Sequence, residues 1–169
     1  TMRPAESKIM SLSEAHTWRC GLRARGLRLA VTNGCFDLLH RGHAEYLAQA
    51  RGCADALLVA VNSDASVRAL KGPERPIVSE ADRAYLLASL EAVDAVVIFS
   101  DTRPLEVFPA VVPDVYVKGG DYTEERLDRD EHAILKGLGC EFRFVPFVQG
   151  FSTTGTISRP ASVDDGTSI

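Results

Sequence analysis

The chain has 169 residues, of which 46% are hydrophobic and 25% charged, and a formal net charge of −4. That balance fits one ordinary globular domain and excludes a disordered or collagen-like chain. The acidic balance speaks against a nucleic-acid partner, and no apolar run approaches the roughly 18 residues of a membrane span or forms the core of a signal peptide, so no membrane partner is expected either.

Residues 1–10 read as a flexible N-terminal lead-in. Ser11-Leu-Ser-Glu14 then has the spacing of a capping box, which predicts a helix over 11–25 with Gly26 as its stop. Leu27-Arg-Leu-Ala-Val-Thr32 is short and apolar, and reads as a buried strand ending at Asn33-Gly34. A helix is predicted over 44–51. Ala56-Leu-Leu-Val-Ala-Val61 is a continuous apolar run of the kind found in a parallel strand covered on both faces. Ser79 and Asp82 stand at N-cap spacing ahead of a helix over 79–91, with Leu86, Leu87, Leu90 and Val93 as its apolar stripe. Ala95-Val-Val-Ile-Phe99, Val115-Tyr-Val117 and Phe142-Arg-Phe-Val145 are further strands, with helices over 104–111 and 127–138 between them. A last short helix is expected over 152–158. Such alternation defines an α/β fold, a single-domain doubly wound parallel sheet over 11–159, Rossmann-like, followed by a disordered tail over 160–169. Cys20, Cys35, Cys53 and Cys140 are scattered without a C-x-x-C pair and read as reduced thiols of a cytoplasmic protein.

Ligands of such sheets sit at the carboxyl ends of the strands. Polar and glycine residues gather there: Thr32-Asn-Gly-Cys-Phe-Asp-Leu-Leu-His-Arg-Gly-His43, Asn62-Ser-Asp64, Lys118-Gly-Gly-Asp-Tyr122 and Gly150-Phe-Ser-Thr-Thr154. These groups suit a polyanion. His40 and His43 flank Arg41-Gly42 at a helix start, where backbone N–H groups are free and Gly42 permits close approach. Both imidazoles can donate to phosphate oxygens; a metal pair, with Asp37 as a further ligand, or two surface histidines are the other readings.

The stretch from Thr32 to His43 resembles the H-x-G-H signature of the cytidylyltransferase-like nucleotidyltransferases, and Phe151-Ser-Thr-Thr154 resembles their second, S-T-T signature. Within that superfamily, Thr32-Asn-Gly-Cys-Phe-Asp37, Ala60-Val-Asn-Ser-Asp-Ala65, Leu70-Lys-Gly72 with Arg75-Pro76, and Val117-Lys-Gly-Gly-Asp-Tyr122 look like the D-glycero-β-D-manno-heptose 1-phosphate adenylyltransferases. Glycerol-3-phosphate cytidylyltransferases carry an arginine ahead of the second signature, and Phe147-Val-Gln-Gly-Phe-Ser-Thr-Thr154 lacks it. The bifunctional heptose enzymes place a sugar kinase ahead of this domain. None fits before the first strand, so a stand-alone adenylyltransferase is the expectation.

The resemblance implies transfer of AMP from ATP to the sugar 1-phosphate, giving ADP-heptose and pyrophosphate, with Mg²⁺ arriving on ATP and no organic cofactor. Transfer to glycerol 3-phosphate or a flavin mononucleotide, formation of GDP-heptose, and a non-catalytic nucleotide-binding module are the alternatives. Relatives commonly form dimers, so a homodimer is expected. By the same resemblance, His40, His43 and Lys71 are the catalytic set, the histidines holding the triphosphate. Lys71, in a loop after the second strand, and Arg75 close over the sugar phosphate. Thr32, Asn33, Gly34, Cys35, Phe36, Asp37, Gly42, Asn62, Asp64, Arg83, Lys118, Gly119, Gly120, Asp121, Ser152, Thr153 and Thr154 line the nucleotide site. Asp37 is a magnesium ligand, an orienter of the first histidine, or a helix cap. Arg83 lies on the stripe of Leu86 and Leu87, where a charge needs a partner, either ligand phosphate or Asp64.

Overall fold

Five short apolar runs become five parallel strands: β1 Leu29–Gly34, β2 Ala56–Asn62, β3 Ala95–Phe99, β4 Val115–Gly119 and β5 Glu141–Val145. Their order across the sheet is β3-β2-β1-β4-β5, the doubly wound α/β arrangement expected. The computed structural model describes residues 1–120 and 122–146. The expected helix over 152–158 and tail over 160–169 lie outside them.

Both faces of the sheet are covered. Helix α1 (Leu12–Ala24) starts at the predicted capping box, Ser11 Oγ accepting from the Glu14 amide at 3.1 Å and Glu14 Oε2 from the Ser11 amide at 2.8 Å. It shares one face with α5 (Val107–Val111) and α6 (Arg129–Gly137), where Leu22, Phe108 and Leu135 meet Val31, Leu58 and Tyr116. On the other face lie α2 (Arg41–Arg51) and α4 (Glu80–Ala88), with Leu47 and Leu87 against Leu57, Val59 and Val117. Every residue of β2 is buried, as its unbroken apolar run requires.

Three elements depart from the sequence reading. Helix α3 (Asp64–Lys71), capped by Ser63, follows β2 directly, so Lys71 ends a helix rather than sitting in a loop. On α4 the buried face is Arg83, Ala84, Leu87 and Ala88, while Leu86 is 44% exposed. One hundred degrees per residue puts Leu87, not Leu86, on the side of Arg83 that meets the sheet. The lead-in is docked, not loose. Ile9 forms a parallel bridge with Val96, Met10 N donates to the Val96 carbonyl at 2.9 Å, and Lys8 Nζ donates to the carbonyls of Leu90 and Val93. The segment covers the outer edge of β3, whose backbone otherwise faces no strand among the described residues.

The amino ends of the strands are tied by aspartates that precede them. Asp55 Oδ2 accepts from the Arg28 amide, Asp94 Oδ2 from the Leu57 amide and Asp114 Oδ2 from the Leu29 amide, each at 2.8 Å. Asp114 also takes Arg19 Nη2 at 2.7 Å, a guanidinium that is buried and further bonded to the carbonyls of Leu27, Val111 and Val112. This end of the sheet is closed, which leaves ligand chemistry to the other.

Candidate active site

At the carboxyl end, β1 runs into the loop Cys35-Phe-Asp-Leu-Leu39, in which Phe36 and Leu38 take left-handed φ values of 50° and 48°. Side-chain-bearing residues pay about 1 kcal/mol or more for that conformation, and such strain collects at functional loops. The ring of Phe36 folds back over Gly34, where a Cβ would meet it at 3.0 Å, so a larger residue there would have to push the ring aside. The loop delivers the chain to α2, which begins at Arg41, three residues ahead of its expected start.

His40 is the N-cap of α2, and its imidazole does what a Ser or Asp commonly does there. His40 Nδ1 accepts from the Gly42 amide at 3.1 Å, and His43 Nδ1 accepts from the His40 amide at 3.3 Å. The two rings stack with centroids 3.8 Å apart and 21° between planes, and Phe36 meets His43 edge-on at 5.4 Å. A neutral imidazole that accepts at Nδ1 carries its proton on Nε2. The pair therefore carries two Nε2–H groups at a helix N-terminus, that of His40 buried. Burial, together with the positive charges of His40 and Lys71, pushes His43 down to about 4, and burial lowers His40 as well. Both are neutral at neutral pH, so the fixed positive charge of the site comes from elsewhere.

Lys71 and Arg75 supply it. The charge of Lys71 acts on both His43 and Cys35, which places this exposed ammonium beside the loop. Arg75 is 16% exposed at its side chain, donates through Nε to Asp37 Oδ2 at 2.9 Å, and keeps Nη2 buried with no hydrogen-bond partner among the described residues. Burial also pushes the Cys35 thiol up against the pull of Lys71, Arg83 and Arg75, so it is a neutral thiol here.

Asp37 is an anchor. Its Oδ2 accepts from Arg75 and from the Ile77 amide at 2.8 Å, and its Oδ1 from the Val78 amide at 2.9 Å, which ties the loop carrying Arg75 to the end of β1. Burial alone raises its pKa, but the amides of Ile77 and Val78 and the guanidinium outweigh it and hold the carboxyl below its usual range. A carboxylate dressed in this way is poorly suited to a metal, and no group of three or more His, Cys, Asp or Glu among the described residues could hold one.

Arg83 answers its own question of a partner. Fully buried at its side chain, it donates to the carbonyls of Val78, Cys35 and Asn62 and to Asp64 Oδ1, at 2.7 to 2.9 Å. It binds the ends of β1 and β2 and the start of α4 together from beneath, so it supports the loop in place of meeting ligand. Asn62 is likewise internal, giving Nδ2 to Ser66 Oγ at 2.8 Å. Thr32 meets the Tyr46 hydroxyl at 2.7 Å and Asn33 Oδ1 takes the Tyr116 hydroxyl at 2.5 Å. Lys118, Gly119 and Gly120 end β4 on the far side of the crevice, with Lys118 Nζ 5.2 Å from the ring centre of Tyr122 and Gly120 at φ 93°. Asp121, Ser152, Thr153 and Thr154 lie outside the described residues.

The structure thus gathers Thr32 to Asp37, His40, Gly42, His43, Lys71 and Arg75 around the end of β1, with Asn62, Asp64 and Arg83 under it. Sequence reading missed Tyr46, Tyr116, the Ile77 and Val78 amides, and Glu131, a buried carboxyl raised by burial near Lys118. A hydroxyl-tipped aromatic inside an apolar stripe was the available signal for the two tyrosines.

A parallel sheet with its order reversing beside β1, a strained loop and a histidine-capped helix define a doubly wound, Rossmann-like class of fold. The chain belongs to the cytidylyltransferase-like family, whose model matches residues 31–155. Among curated proteins it is 48% identical over 155 residues to the bifunctional protein HldE of Geotalea uraniireducens (strain Rf4), covering 92% of this chain and 31% of that protein. It is 50% identical over 155 residues to the bifunctional protein HldE of Koribacter versatilis (strain Ellin345), covering 92% and 32%. The chain thus spans about a third of the length of these relatives. Among solved structures, the lipopolysaccharide core biosynthesis protein from Thermoplasma volcanium GSS1 matches with TM-score 0.60 at 27% identity, covering 73% of this chain and 98% of that one. Pantoate-beta-alanine ligase from Francisella tularensis, complexed with beta-gamma ATP and beta-alanine, matches with TM-score 0.53 at 16% identity, covering 82% and 66%, and so shares the fold.

Proposed function

We propose that this chain is an adenylyltransferase that joins AMP from ATP to D-glycero-β-D-manno-heptose 1-phosphate, giving ADP-heptose and pyrophosphate for a bacterial heptose-containing glycan or lipopolysaccharide. The observation that carries it is the histidine pair: two stacked imidazoles, each with Nδ1 engaged by a backbone amide and its proton left to Nε2, at the N-terminus of α2 beside Lys71 and Arg75. The likeness of the sequence motifs to heptose 1-phosphate adenylyltransferases, and the relatives named bifunctional HldE, support the acceptor.

A sugar phosphate oxygen attacks the α-phosphorus of ATP, the bond from that phosphorus to the β-phosphate bridging oxygen breaks, and pyrophosphate leaves with the electron pair. The nucleophile is already ionised near neutral pH, so the site needs no base; it needs position and charge. His40 and His43 donate to the triphosphate where negative charge develops. Nη2 of Arg75, without a hydrogen-bond partner among the described residues, and the ammonium of Lys71 hold the second anion against repulsion from the first. Magnesium enters as part of the substrate MgATP, which matches an Asp37 already saturated by nitrogen donors. The four thiols are unpaired, which suits a cytoplasmic setting, and no helix of the described residues is long and apolar enough to cross a membrane. The working unit is a homodimer, a reading that sedimentation of the purified chain checks.

The test is pyrophosphate release with heptose 1-phosphate and each of ATP, CTP and GTP, alongside glycerol 3-phosphate and flavin mononucleotide as acceptors. Release with ATP and the heptose phosphate is expected; release only with another pair replaces this reading.

A further inference from the structure

β1 pairs with β2 through Gly34↔Val61, but with β4 only at Ala30↔Val115 and Val31↔Tyr116. Beyond those pairs the two strands separate, and this is where the order of the sheet reverses, the place a doubly wound fold opens its crevice. Two buried phenols stand at the parting. From the α2 face, Tyr46 donates to the Val117 carbonyl at 3.0 Å and meets Thr32. From the opposite face, Tyr116 donates to Asn33 Oδ1 at 2.5 Å.

The second bond has a consequence for ligand chemistry. A primary amide has one acceptor end and one donor end. With Oδ1 taken by Tyr116, the end of Asn33 left for a ligand is Nδ2 and its two protons, and no described residue takes them. Phosphate and ribose oxygens need donors, whereas an amide turned the other way would set a carbonyl against them. Tyr116 is 1% exposed, its ring packed on Phe108 at 5.3 Å and Phe142 at 6.4 Å, so phenylalanine fills the same space and only the hydroxyl directs the amide.

We infer that Tyr116 is a positioning residue, one that holds Asn33 with its donor end available to the oxygens of the bound nucleotide. The inference rests on the nucleotide-binding reading above and goes beyond it by assigning a role to a side chain that touches no ligand.

A double-mutant cycle of Tyr116→Phe and Asn33→Ala tests it, read as the Kd for ATP by titration calorimetry and as KM and kcat in the pyrophosphate assay. Tyr116→Phe is expected to weaken ATP about three- to tenfold, the range of one hydrogen bond, in KM more than in kcat and with little change in Tm. In the Asn33→Ala background the same substitution is expected to add nothing. Wild-type affinity in Tyr116→Phe, or equal weakening in both backgrounds, overturns the inference. A wild-type chain that binds ATP but releases no pyrophosphate with heptose phosphate breaks the acceptor assignment and leaves the cycle readable in Kd; one that does not bind ATP overturns both.

Discussion

His40 and His43 are given their chemistry by two backbone amides. A solvent-exposed H-x-x-H pair would exchange tautomers, but here both Nδ1 atoms accept and both protons sit on Nε2. Replacing His43 by alanine removes one donor from the developing charge, and pyrophosphate release should fall in kcat/KM by about 10²- to 10³-fold with the Tm little changed. His40→Ala should lose as much activity and also about 1 kcal/mol of stability, measured by urea unfolding, because it deletes the cap of α2. The depressed pKa has its own signature. An unfolded chain binds a proton at His43 near 6.5 and the folded one only near 4, so between these values the unfolded state holds more protons. Stability from this group is full above pH 6.5 and is lost as pH falls toward 4. Thermal melts across that window should show a shallower decline for His43→Gln than for the wild type. At this scale the motif was visible in sequence and the protonation was not, since a tautomer depends on where neighbouring amides point.

Helices α3 and α4 show how a charged side chain organises elements. Arg83 sits on the buried face of α4 and reaches Cys35, Asn62, Asp64 and Val78, so it joins three segments whose ends form the site. Sequence placed it on a buried stripe and offered Asp64 as a partner, which is what the structure contains. The three carbonyls could not have been foreseen, because any residue supplies one. Arg83→Met leaves those carbonyls and Asp64 without their donor, and should cost about 3–5 kcal/mol in denaturant unfolding. Arg83→Lys should recover only part of it, since a single ammonium cannot span the same fork. Helix α3 was missed although Ser63 caps it, for its eight residues make barely two turns, too few to show a period, and Gly72-Pro73 directly after them reads as loop. Its end puts Lys71 beside the histidine loop, which loop reading had reached by a different route.

The whole molecule divides its work between the two ends of the sheet. At the amino ends, Asp55, Asp94 and Asp114 fasten neighbouring strands, and Arg19 locks Asp114 to the turn after α5. At the carboxyl ends, strain, an Arg75 Nη2 without a hydrogen-bond partner among the described residues, and paired histidines collect. Asp114→Ala should therefore lower Tm and cost about 3 kcal/mol or more by stranding Arg19, while kcat/KM for the folded fraction stays near wild type. A matching loss of activity at temperatures well below the melt would show that the two ends are not separable. By itself the sequence determined the alternation of strand and helix, the parallel sheet and the residues that crowd at its carboxyl edge, because apolar periodicity and turn chemistry are local properties of the chain. Only the tertiary structure decided that Asp37 anchors a loop, that Arg83 supports from below, and that Tyr116 turns the amide of Asn33, because each of these is a bond between segments whose distance in sequence carries no record of their distance in space.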